Sequence, residues 1–231
     1  MQPDLIEFQK SIGITFNNKK LLEQAFIHRS YINENRQSGL EHNERLEFLG
    51  DAVLELAITN WLFQNYTDKP EGELTAYRSA LVNADTCANI AKKIEMEGLM
   101  MLSKGESKDK GRARQYILAN ALEALIGAIY LDQGLESATK FINDHFMPLI
   151  DSIIKQKSFI DSKSLFQEKA QEFDGVTPSY KTIKETGPDH EKKFTVGVFV
   201  GKEQIALGEG ISKQEAEQNA AKEALLKRGW N

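Results

Sequence analysis

The chain has 231 residues, 41% of them hydrophobic and 27% charged, with a formal net charge of −5. That length suits one large or two modest soluble domains, and that composition excludes a disordered, fibrous or membrane-embedded chain. The single cysteine, Cys87, excludes an internal disulfide and fits a reducing cytoplasm.

The first residues, MQPDLIEFQKSIG, carry neither a basic n-region nor an apolar h-region, so no signal peptide is expected. No apolar run approaches the roughly 20 residues of a membrane span. Leu21, Leu22, Ala25 and Phe26 have helical spacing, with Asn17 or Asn18 as N-cap. A long helix is predicted over 44–65, ended by the Thr67-Asp68-Lys69-Pro70 breaker. Further helices are predicted over 73–83, 85–96, 115–131 and 135–153, and Cys87 reads as a small core residue of the second. The aperiodic stretch 102–115 reads as a loop, with Lys104, Lys108, Lys110, Arg112 and Arg114 against two acids. Residues 154–161 lack an amphipathic register and suit a linker. Then the rhythm changes to a helix over 162–173, strands over 179–187, 192–201 and 203–210, and an Ala-rich helix over 211–228. The fold class is therefore α+β: an all-helical part over 1–153, a linker over 154–160 and a small α-β-β-β-α domain over 161–231. The three strands, joined by short turns, imply an antiparallel sheet with both helices on one face.

The stretch HNERLEFLGDAVLELA, residues 42–57, is the richest in chemistry. Glu44, Glu47, Asp51 and Glu55 follow one another at spacings of three, four and four, which places them on one stripe of a helix. Like charges so spaced repel by roughly 0.2–0.5 kcal/mol per pair. Leu46, Leu49, Val53, Leu56 and Ala57 give the opposite, core face. A hard divalent cation with oxygen ligands would relieve the repulsion; the plainer alternative is a solvated acidic face. Two details favour the cation. Phe48 points to the acidic side, and Gly50 sits mid-helix at a cost of about 1 kcal/mol against alanine, a sign of close backbone approach. On the helix over 115–131, Asn120 and Glu123 share one face, and the small residues Ala124, Gly127 and Ala128 allow tight packing that would turn Glu123 toward Glu47 and Asp51. No histidine or cysteine set has metal-ligand spacing. His28 reads as structural, hydrogen-bonded near the acidic helix, and Glu55 as a surface residue. Glu44 is either structural or directly catalytic.

NERLEFLGD followed by Ala and Val closely resembles the signature of the ribonuclease III family, the double-stranded-RNA endonucleases. AFIHRSY (25–31), EGELTAYRSALVN (71–83) and ILANALEALIGAIYLDQG (117–134) resemble its other motifs, in the same order. SLFQEKAQE (164–172), GPDHEKKFTV (187–196) and GEGISKQEAEQNAAKEAL (208–225) resemble a double-stranded-RNA-binding domain. The resemblance implies a Mg²⁺-dependent endonuclease, Mn²⁺ being a possible substitute, that leaves 5′-phosphates and short 3′ overhangs while processing ribosomal and messenger RNA. It assigns Glu47, Asp51 and Glu123 as catalytic metal-binding carboxylates, with Asn120 in the metal set where the family most often has aspartate. Glu44 and Glu71 stand as supporting residues, Glu71 near the cleavage groove. The alternative is a duplex-RNA-binding protein whose catalysis is weakened or lost because Asn120 replaces that aspartate. The resemblance also implies a homodimer, with Phe48 entering a pocket of the second subunit, and no membrane partner.

A net negative charge does not exclude an RNA partner, because binding depends on where the charges sit. Residues 1–160 carry 18 basic and 22 acidic side chains, and residues 161–231 carry 11 and 12. Ser212 and Glu215 form a capping box at the last helix, whose N-terminus, with Lys213 there and Lys222 further along, suits a phosphate. By resemblance, Gln167 and Glu168 reach one minor groove, and Asp189 and His190 in the 187–190 turn reach the next.

Overall fold

The computed structural model describes residues 5–108, 111–152, 162–187 and 192–230. The chain divides into two compact units, Met1–Phe159 and Ile160–Asn231. The linker expected over 154–160 lies outside the described residues.

The first unit is helical: α1 (Leu5–Ser11), α2 (Lys19–Ala25), α3 (Arg29–Glu34), α4 (Glu44–Asn65), α5 (Glu71–Leu81), α6 (Ala84–Lys93) and α7 (Arg112–Phe146), with short 3-10 turns at Met96–Leu99, Glu106–Lys108 and Met147–Leu149. α4 and α7 are the central pair, with α2 and α6 against α7 and α5 against α4. Leu46, Val53, Leu54 and Ala57 of α4 share one core with Leu118, Leu122, Leu125 and Ile126 of α7. The helix starts follow from local capping. Asn18 accepts the Lys20 amide at the start of α2, and the backbone amides of Asn17 and Asn18 both donate to the Asp132 carboxylate, which ties that start to α7. Asn43, buried ahead of α4, donates its side-chain amide to the Ala25 carbonyl at 3.1 Å and its backbone N–H to the Ile27 carbonyl at 2.9 Å. The first turn of the acidic helix is thus fastened to the 25–27 strap.

Two expectations, the loop reaching residue 115 and the burial of Leu56, need correction. Residues 112–115 are helical, because α7 starts from Gly111 as N-cap; arginines are good helix formers even where no apolar rhythm reveals them. The two helices expected over 115–131 and 135–153 are indeed separate within α7, parted by a kink at Gly134, whose φ of 84° suits glycine. Leu56, expected in the core, is 56% exposed. It belongs instead to a second apolar stripe on α4, with Phe48 at 82% and Phe63 at 71% exposed. Phe48, Ala52, Leu56, Thr59 and Phe63 recur at spacings of three and four, so α4 carries a core face, an acidic face and an exposed apolar face.

The second unit is α8 (Ser162–Asp174), β1 (Ser179–Thr186), β2 (Lys193–Val200), β3 (Glu203–Gly210) and α9 (Lys213–Arg228). The sheet is antiparallel in the order β1-β2-β3. Tyr180, Val198 and Ala206 stand opposite one another across the three strands. Val198, Ile205 and Ala206 pack with Phe166 of α8 and Ala220, Ala221, Ala224 and Leu225 of α9. β1 is an edge strand with an almost wholly exposed surface. Among the described residues no helix is long and apolar enough to cross a membrane.

Candidate active site and nucleic-acid interface

Gly50 and Gly127 fix where α4 meets α7. A Cβ on Gly50 would lie 1.7 Å from the Glu123 carbonyl oxygen, and one on Gly127 would lie 2.3 Å from the Leu46 carbonyl oxygen. Backbone therefore crosses backbone, at Glu123 on one helix and between Glu47 and Asp51 on the other. This is the close approach that a glycine inside the acidic helix signals.

The crossing brings Glu47, Asp51 and Glu123 into electrostatic contact. Burial, then the charge of Asp51, then that of Glu47 push the half-buried Glu123 carboxyl up to about 8 from its ordinary 4.5. Glu47 is also raised, first by burial, then by Glu44; a hydrogen bond from the Asn120 side chain opposes this, and Asp51 adds to it. Cys87 lies beside the same cluster, and burial, with Glu123 and Asp51 near, pushes its thiol up to about 12. It is a buried, inert core thiol, as its helical context suggests.

The other residues singled out in the sequence divide into two groups. Glu44 acts on Glu47, and it is itself paired with Arg29 at 3.2 Å and lies 3.7 Å from the His42 imidazole. Glu55 is exposed, and Glu71 accepts the Thr75 hydroxyl at 3.0 Å in an open cleft of about 410 Å³ between α4 and α5; neither figures among the charges acting on Glu47 or Glu123. His28 hydrogen-bonds Ser30 at 2.8 Å and caps α3, near enough to the acidic helix for the Glu44 charge to act on it.

Among the described residues, no three His, Cys, Asp or Glu side chains are gathered tightly enough to enclose a metal ion as they stand. The donor chemistry still fits a hard cation. All the donors are oxygens, and a divalent charge would offset the burial and the neighbouring Asp51 and Glu47 charges that raise Glu123. Mg²⁺ keeps several waters and uses only one or two carboxylates, so an open set of this kind suits it.

In the second unit, Ser212 caps α9 by accepting the Glu215 amide at 3.1 Å, and the Glu215 carboxylate answers by accepting the Ile211 amide at 2.8 Å. Lys213 stands at this helix start, with its Nζ 3.0 Å from the Glu185 carboxylate and over the Phe194 ring. Gln167, Glu168, Ser212 and Lys222 are all exposed. Asp189 and His190 lie outside the described residues. Two features escaped the sequence reading: the apolar stripe beyond Phe48, which helical spacing could have revealed, and the Lys213–Glu185 pair, which depends on strand register.

Residues 18–150 match the family model described as ribonuclease-III-like, and residues 162–228 match the double-stranded RNA binding motif. A protein of Borreliella burgdorferi named Ribonuclease 3 is 46% identical over 221 residues, covering 96% of this chain and 90% of that protein. One of the same name from Pelotomaculum thermopropionicum is 43% identical over 226 residues, covering 98% and 94%. The nuclease domain of a Campylobacter jejuni ribonuclease III, described as flexible in a region involved in dimer formation, superposes with a TM-score of 0.56 at 36% identity. That match covers 62% of this chain and 99% of the other.

Proposed function

We propose, from the premise that this chain belongs to the ribonuclease III family of double-stranded-RNA endonucleases, that it cuts duplex RNA with a divalent metal ion held by Glu47, Asp51 and Glu123. The observation that carries this reading is the Gly50–Gly127 crossing, which sets carboxylates of two helices against one another where none of them has a basic partner acting on Glu123. When bound, Mg²⁺ or Mn²⁺ supplies an activated water, a neutralised phosphate and a stabilised leaving oxygen. The chain's own residues supply position: α4 and α7 hold three carboxylates on a rigid backbone contact, and Arg29 holds Glu44 to one side. The products carry 5′-phosphates and short 3′ overhangs, and the substrates are ribosomal precursors and structured messenger RNAs in the cytoplasm. Nothing favours the binding-only alternative. Incubating the full chain with a long RNA duplex tests the reading: cleavage should require Mg²⁺ or Mn²⁺, and an intact duplex over a wide range of both ions would sink it.

The exposed stripe of α4 supports a homodimer. An apolar surface of this length on a polar chain marks a protein contact, and two-fold symmetry would set it against its own copy. The cleft lined by Leu62, Phe63 and Leu74 is a candidate receiver for the partner's aromatic. Phe48→Arg would place an unpaired charge in that contact, and should weaken the dimer by about a hundredfold or more. Sedimentation should show monomers, and cleavage should fall with the dimer. An unchanged dimer with full activity would remove Phe48 from the interface.

Duplex recognition falls to the second unit through Lys213, Lys222, Ser212, Gln167 and Glu168, together with Asp189 and His190. Such domains read A-form shape and 2′-hydroxyls across about 16 base pairs. The full chain, assayed without metal, should bind duplex RNA on the order of tenfold or more tighter than duplex DNA of the same sequence. Its affinity should fall linearly with salt on logarithmic axes. Equal binding of both duplexes would contradict this assignment.

A further inference from the structure

Strand register builds a contact at the start of α9, beside the residues assigned to duplex recognition. Glu185 of β1, Phe194 of β2 and Gly210 of β3 stand opposite one another at one end of the sheet. Gly210 lets α9 begin directly over this row: a Cβ there would lie 2.6 Å from the backbone nitrogen of Ala216. Lys213, in the first turn of α9, therefore reaches back across the sheet. Its Nζ lies 5.6 Å from the centroid of the Phe194 ring and 3.0 Å from a Glu185 carboxylate oxygen, on the far strand. The Lys213 and Glu185 side chains are 58% and 38% exposed, so the pair is open to water and to an approaching anion. An ion pair this exposed is held weakly.

Resting on the reading of the second unit as the part that binds duplex RNA, we propose that Glu185 is an internal competitor for the RNA phosphate at Lys213: its carboxylate stands in the phosphate's place and lowers both the affinity and the salt dependence of duplex binding. A lysine strengthens binding by neutralising a phosphate and releasing the counterions held there. Lys213 is already neutralised by Glu185, so a phosphate has to displace that carboxylate or share the ammonium with it. Only the difference between the two anions then counts toward binding. The Phe194 ring is a second partner for the ammonium, and it stays in place when the carboxylate charge is removed. Glu185 is therefore not needed to keep Lys213 at the helix start. The backbone amides there are partly engaged as well, since Ser212 accepts the Glu215 amide and the Glu215 carboxylate accepts the Ile211 amide. The ammonium is thus the main group at this end that a phosphate has to gain, and Glu185 holds it.

The test uses the full chain in a chelator, so that the RNA stays whole, and an RNA duplex longer than about 16 base pairs. Affinity is measured by titration at several salt concentrations. Glu185→Gln keeps the size and removes the charge. It should tighten duplex binding by about three- to tenfold at low salt and steepen the slope of log affinity against log salt by roughly 0.9, the share of one phosphate. In a Lys213→Met background the same change should shift affinity by no more than about twofold and leave the slope alone. Glu203→Gln should do as little in the parent, because it removes an equal charge at the opposite end of the sheet, where Glu203 faces Val200. All of these side chains are part-exposed, so the variants should melt as the parent does. Weaker RNA binding by Glu185→Gln would make Glu185 a support for Lys213 and overturn the proposal. An equal gain in the Lys213→Met background would also overturn it, by reducing the effect to general charge repulsion. Lys213→Met in the Glu185→Gln chain separates the two readings. If it weakens duplex binding although Glu185→Gln alone changed nothing, the helix start holds a phosphate and only the competitor fails. If the chain binds duplex RNA and duplex DNA alike and ignores Lys213 in both backgrounds, the recognition surface itself is misplaced, and the competitor falls with it.

Discussion

Replacing Glu123 with glutamine should abolish cleavage of duplex RNA and, at the same time, stabilise the metal-free protein. The rate should fall by about 10³ or more, roughly 4 kcal/mol, because a carboxylate that holds the ion is gone. Duplex binding should stay within a few-fold, since it rests on the other unit. The stability effect has the opposite sign. The folded-state pKa of Glu123 lies near 8 against an ordinary 4.5, so the folded state holds a proton that the unfolded state has already lost between those values. Stability from this group is fully present below the unfolded pKa and is lost as pH rises toward 8. Glutamine is neutral throughout, so the variant should gain on the order of 1–3 kcal/mol over the metal-free parent above neutral pH, after allowance for screening by water. Melting curves from pH 5 to pH 9 in a chelator should slope downward for the parent and run flatter for the variant. Full turnover by the variant would refute the catalytic assignment; parallel pH slopes would refute the electrostatic one.

Gly50→Ala should be as damaging through packing alone. The added methyl would fall 1.7 Å from the Glu123 carbonyl oxygen and 2.8 Å from the Gly127 nitrogen, both of them backbone atoms. No side chain can rotate away, so the two helices must part. Alanine's better helix propensity returns only about 1 kcal/mol, against an overpacking cost of about 3 kcal/mol or more. Even if the variant folds, moving Glu123 by about 1 Å relative to Glu47 and Asp51 should cost on the order of 10² in rate. Urea unfolding and cleavage measured on the same preparation would show both losses. A parent-like midpoint would mean that the crossing does not exist as described.

The sequence made the architecture readable where a rhythm had one reading. The 3.6-residue period over 44–65 returned α4 with the same limits, and the alternation of Phe194, Val196, Val198 and Val200 returned β2. Gly50 announced a tight contact, but not its partner. Periodicity failed at Leu56 because a long helix can carry two apolar arcs, and pattern alone does not say which one meets the core. It failed at Arg112 and Arg114, whose helix carries no apolar signal in its first turn. The proximity of Glu123 to Glu47 was an inference from small residues on facing helices. The pairing of Lys213 with Glu185 depends on rotamers and strand register, and no spacing rule contains it.

The backbone-to-backbone contact at Gly50 and Gly127, inside the side-chain core that α4 and α7 share, also bears on how the first unit breathes. A contact made by interlocking side chains can loosen one rotamer at a time; one made by two backbones has no intermediate step. Amide protons flanking Gly50 and Gly127 should therefore exchange with solvent only when the whole unit opens, and at a single shared rate. The exposed edge strand β1 offers the contrast, since its outward amides can fray without disturbing the Phe166 core. The carboxylates proposed to hold the ion should thus lie beside slowly exchanging backbone, whereas the unit that matches the double-stranded RNA binding motif has an exposed edge strand.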